Sequence, residues 1–138
     1  MAETFSDIFE ENGVALLARI EDVELKTVAT TNLFTGPAGK KFDVDRVKFC
    51  KLPYSAAGTV VTFGKTTAKT DWLAAQTLTN FLAGTSGKFI APPVQHATIP
   101  TVTPEYVAGE IFCMDVTTGC TVASCIVDVE VYGTLRNA

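Results

Sequence analysis

The chain has 138 residues, 47% hydrophobic and 19% charged, with a net charge of −4. That length suits one domain able to bury about two thirds of its unfolded surface without a disulfide or metal. No apolar run reaches the ~20 residues of a membrane helix. Seven acids (Glu3, Asp7, Glu10, Glu11, Glu21, Asp22, Glu24) face the single base Arg19 in the first 25 residues. Such a field repels phosphate and argues against nucleic acid as a partner.

In chain order, residues 1–13 read as an arm or short helix, with Phe5, Ile8 and Phe9 at helical spacing and a stop at Asn12-Gly13. The acidic start lacks the basic-then-apolar layout of a signal peptide, so synthesis in a cytoplasm is expected. Residues 14–138 are expected to form a single β-sandwich domain. Val14 to Ile20 is read as a strand, and Val23 to Ala29 is a second apolar stretch. Thr35-Gly36-Pro37-Ala38-Gly39 is a turn, because proline fixes φ and glycine permits φ > 0. It feeds a strand over Lys41–Leu52. Phe42 and Val44 share one parity there, and Val47 and Phe49 take the other, so one residue near Asp45-Arg46 must be absorbed in a bulge. Pro53 ends the run, Tyr54 to Gly58 connect, and Gly58 to Lys65 is a further strand.

The apolar stripe Trp72, Ala75, Leu78, Thr79, Leu82 behind Thr70 or Asp71 as a cap predicts one short helix over Asp71–Leu82. From Phe89 to Pro104 four prolines allow only edge strands or long crossing loops. The end of the chain alternates strictly: Phe112, Met114 and Val116, then Val127, Val129 and Val131, with Asp128, Glu130 and Tyr132 on the opposite face. Around Thr117-Thr118-Gly119 this predicts a β-hairpin with one buried and one wet face, central in its sheet. The fold class that follows is all-β, a jelly-roll-like β-sandwich with one helix at about 71–82.

No constellation names a reaction, so an enzyme is not expected and no cofactor is called for. His96 is the lone histidine and no G-x-S-x-G motif occurs. Asp43 with Asp45, and Asp128 with Glu130, are read as charges solvating an outer sheet face. Cys50, Cys113, Cys120 and Cys125 contain no C-x-x-C. They are read as buried thiols, with a Cys113–Cys120 bridge as the alternative and a metal site disfavoured. Tyr54, Trp72 and Tyr106 are the aromatics that could stack on a sugar, which keeps a carbohydrate-binding module as the rival function. A hydrolase using His96 stands third.

From Asn32 onward, LFTGPAGKKFDVDRVKF, GTVVTFG, DWLAAQTLTNFL, ATIPTVTPEYVAGEIF and the closing VDVEVYGTL follow one another over about 100 residues. In that order they resemble small β-sandwich virion structural proteins of tailed bacteriophages. The resemblance implies a capsid decoration or cement protein, made in the host cytoplasm and seated on the outer capsid surface. Its partner there would be the major capsid protein, bound as a homo-dimer or homo-trimer; a tail- or fibre-associated sandwich is the neighbouring alternative. Phe5, Ile8 and Phe9 of the arm, with Tyr106, are the expected contact residues.

Overall fold

A computed structural model describes residues 13–50, 58–78, 88–90, 104–121 and 125–138. Their strands are β1 (Ala15–Glu24), β2 (Ala29–Thr35), β3 (Lys40–Cys50), β4 (Val60–Lys65), β5 (Ala68–Thr77), β6 (Lys88–Ile90), β7 (Glu105–Val107), β8 (Ile111–Thr118) and β9 (Ile126–Asn137). All pairings are antiparallel. One sheet, here sheet A, runs β1-β9-β3, with β6 and β7 each pairing with part of the far edge of β3; sheet B runs β2-β8-β4-β5. The expected all-β sandwich is what the chain forms.

Alternation builds the core. Phe42, Val44, Val47 and Phe49 of β3 and Val127, Val129 and Val131 of β9 face Val61, Phe63, Phe112, Met114 and Val116 of sheet B. At roughly 25 cal/mol per Å² of apolar area removed from water, this two-faced interior is the main stabilising term. Phe63 stacks on Phe112 with centroids 6.0 Å apart. Trp72 meets both edge-on at 5.8 and 5.6 Å, geometry that suits the ring quadrupoles.

The predicted bulge is present. Val44 pairs with Gly133 and Arg46 with Tyr132, so Asp45 is the extra residue. Its consequence reaches across the sandwich: the Trp72 indole N–H donates to the Val44 carbonyl at 2.8 Å. A second polar pin joins the sheets where the Tyr106 hydroxyl donates to Asp71 Oδ1 at 2.8 Å. Opposite the bulge, a Cβ on Gly133 would run into the carbonyl oxygen of Asp43. The close passage of β9 over β3 therefore needs glycine there.

Two expectations fail on this geometry. Asp71–Thr77 belongs to β5 rather than to a helix, and residues 79–82 lie outside the described residues. The β4–β5 ladder has register shifts between Val61 and Phe63 and between Phe63 and Lys65. They accompany a run in which the consecutive Trp72 and Leu73 are both buried, while Ala75 of the expected stripe is exposed. The predicted hairpin is likewise absent. Both of its strands exist and both are interior strands, but β8 pairs with β2 and β4 while β9 pairs with β1 and β3. Their apolar faces look at each other across the core instead of lying side by side. Period-two alternation states which face is buried and is silent about the neighbour.

Candidate interaction surface

Because inward positions of β9 are apolar, its even-numbered residues 128 to 136 stand on the outer face of sheet A. Registered against them are Arg19 on β1, opposite Glu130, and Lys48 and Cys50 on β3, opposite Glu130 and Asp128. The result is a cross-strand cluster. Arg19 pairs with Asp128 at 2.6 Å and, closely, with Glu130; Glu21 sits 3.5 Å from its Nε. Glu130 also accepts from the Tyr132 hydroxyl at 3.1 Å and from the Cys50 thiol at 3.5 Å, with the Lys48 ammonium 3.9 Å away. The Arg46 guanidinium lies 4.9 Å above the Tyr132 ring. This face is not wet as expected, since Asp128 is 0% and Glu130 8% exposed.

Asp128 has a second task. Asp22 sits in the β1 bulge between Ile20 and Val23 with φ of 55°, a conformation that strains a side-chain-bearing residue. Its N–H donates to Asp128 Oδ1 at 3.1 Å. One carboxylate thus holds both Arg19 and the strained turn. Burial pushes Glu130 up, but the hydrogen bonds from Arg19, Tyr132 and Cys50 outweigh it and leave Glu130 below the usual carboxylate range. The same surroundings raise the Cys50 thiol and the Tyr132 phenol, burial first and the Glu130 charge next.

Further along the same face, Arg136 pairs closely with Glu105 and reaches Asp43 at 3.4 Å, while Lys41 approaches Glu105 at 3.6 Å. Asp43 and Asp45 do share one side, lining a shallow cleft of about 110 Å³ with Val44 and Thr134. Each has an arginine, Arg136 for Asp43 and Arg46 for Asp45 at 3.0 Å, so the pair is built for ion pairing rather than for acid–base work.

The outer face of sheet B is different. Cys113, Asp115 and Thr117 of β8 and Thr30 and Asn32 of β2 lie there. Lys69 reaches from β5 across β4 and β8 to the Thr30 hydroxyl at 3.0 Å and Asp115 at 3.9 Å. Gly64, side-chain-free and paired with Cys113, lies between. Cys113 is buried there and pushed up to about 11 by burial.

Of the residues expected to act, Phe5, Ile8, Phe9, Tyr54 and His96 lie outside the described residues. Tyr106 and Trp72 are each 1% exposed. Tyr106 is therefore a core pin with no surface to give a partner, and neither ring offers a face to a sugar. Burial, then the Asp71 carboxylate, raises the Tyr106 phenol far above its ordinary value. Among the described residues no group of three or more His, Cys, Asp or Glu could hold a metal, and no helix is long and apolar enough to cross a membrane. The Arg19 cluster was missed from sequence, because Asp128 and Glu130 lie 109 and 111 positions from Arg19.

No protein-family model and no curated protein sequence matches the chain. A solved structure does: a chain of the cyanophage Pam1 capsid asymmetric unit, at 15% identity with a TM-score of 0.54. The match covers 97% of this chain and 89% of that one. The likeness is one of fold. It runs through both chains nearly end to end, so a whole small subunit is similar, not an excursion of a larger one.

Proposed function

We propose that this chain is a virion structural protein that works by binding and without catalysis, a capsid decoration or cement protein on the outer surface of the major capsid protein lattice. The end-to-end likeness in fold to a chain of a phage capsid asymmetric unit carries the reading. The chemistry of the molecule supports it. The ionisable groups on the outer face of sheet A are engaged with one another, and the two described aromatics considered for sugar stacking are core residues. In this reading each copy bridges neighbouring capsid subunits and associates as a dimer or trimer. Many copies on a lattice make modest individual contacts strong, so shell expansion or internal pressure has extra contacts to break. The apolar residues Phe5, Ile8 and Phe9 supply part of the contact, along with the segment 89–108.

The test is to mix the purified chain with empty phage capsids and follow it by co-sedimentation and by size-exclusion chromatography with light scattering. A dimer or trimer that travels with capsids is the expected result; a monomer that ignores them sinks the reading. Deleting residues 1–12 is expected to lower capsid occupancy several-fold while the thermal transition stays in place. Unchanged occupancy would remove the arm from the interface.

A further inference from the structure

Two cysteines are brought together where the chain crosses from sheet B to sheet A. Leu25, fully buried, is the organiser: its N–H donates to the Cys125 carbonyl at 2.9 Å, and its carbonyl accepts from the Cys120 N–H at 2.9 Å. The N–H and C=O of an extended residue point to the same side, so both cysteines are held against one flank of Leu25. Gly119 fixes the approach, since a Cβ there would run into the Lys26 carbonyl oxygen. Both side chains are buried, at 5% and 0% exposure, and Cys120 is the neighbour that, after burial, does most to hold the Cys125 thiol up. Cys113 and Cys50 stand elsewhere, on the outer faces of β8 and β3.

We propose that Cys120 and Cys125 are a dithiol that closes into an intrachain disulfide on exposure to hydrogen peroxide, stapling the β8–β9 crossing. In the first step the Cys120 thiolate, the more exposed of the two, attacks a peroxide oxygen. The O–O bond breaks, and the hydroxide that leaves takes a proton to become water, giving a sulfenic acid. The Cys125 thiolate then attacks that sulfur and displaces hydroxide, which leaves as water with the Cys125 proton. Two thiols are oxidised and one peroxide is reduced to two waters. Burial pushes the Cys125 thiol up to about 12, which makes closure slow; the same burial shields the finished bond from reductants. The bond is therefore slow to form and, once formed, slow to open, whatever the protein binds.

The folded full chain, reduced and then exposed to limiting hydrogen peroxide, is unfolded, alkylated and cleaved before aspartate. Cleavage before Asp115 and Asp128 releases a peptide that holds Cys120 and Cys125 and no other cysteine. The expected peptide is lighter by two hydrogens and refuses alkylation, while Cys113 alkylates in full. The thermal midpoint is expected to rise on oxidation by on the order of 5 °C, and not to rise in Cys125→Ser. Alkylation of both residues after Cys50 has been fully oxidised, or a bridge that includes Cys113, would overturn the proposal. Peptide mapping of the wild-type chain decides the matter even if Cys125→Ser does not fold.

Discussion

The two outer faces of this sandwich solve the same problem in opposite ways. On sheet A, arginines, lysines and carboxylates from β1, β9, β3 and β7 are paired in two clusters, one around Arg19 and one around Arg136. On sheet B, small and neutral side chains form the floor, and Lys69 spans it. The lesson is about where charge is allowed to cost something. Buried carboxylates on sheet A depend on their partners, and a change there is felt by the fold. Sheet B carries little that the fold depends on electrostatically, so its surface can change with little effect on stability.

Asp128→Ala should show the largest effect. It removes a fully buried carboxylate that serves both Arg19 and the strained Asp22 N–H, and about 3 kcal/mol of stability should go with it. Urea unfolding measures this, and a loss below about 1 kcal/mol would mean the Arg19 cluster is ornamental. Acid should act next, through Glu130. Its folded-state pKa is below the unfolded value, so its contribution is fully present above the usual carboxylate range and is lost as pH falls through the depressed value. Stability should therefore drop below about pH 4.5, and Glu130→Gln should flatten that drop while weakening the protein at pH 7. A mutant curve parallel to wild type would exonerate Glu130. Lys69→Ala should be the mildest, within about 1 kcal/mol by the same urea measurement, because its ion pair is long and partly exposed. A larger loss would show that sheet B relies on the Lys69 strap as sheet A relies on its ion-pair clusters.

Local chemistry was legible in the sequence, and long-range pairing was not. The parity change from Val44 to Val47 located the bulge, and Pro37 with Gly36 and Gly39 located the turn before β3, because both signals are carried by a few adjacent residues. The helix over 71–82 rested on Trp72, Ala75 and Leu78 at helical spacing, and two register shifts in the β4–β5 ladder interrupt the period-two alternation that would have marked a strand. The hairpin failed for a deeper reason, since alternation in β8 and β9 is equally satisfied by strands side by side or face to face. The Arg19 cluster joins residues 109 and 111 positions apart. Only the order of strands in sheet A could have brought them together.

The place of β9 has a consequence for how the molecule is made. It is the strand between β1 and β3, which do not touch each other's ladders. A ribosome therefore releases β1 more than a hundred residues before β9, its ladder partner among the described residues, so the β1–β9 bonds come late. Sheet B contains a local unit, β4 with β5 across a two-residue turn, that needs no such wait. Closing a loop as long as the one between β1 and β9 is the slow step that topology imposes. The nascent chain spends its translation with β3 able to pair only at its far edge, and β1 joins sheet A when the late, central β9 arrives.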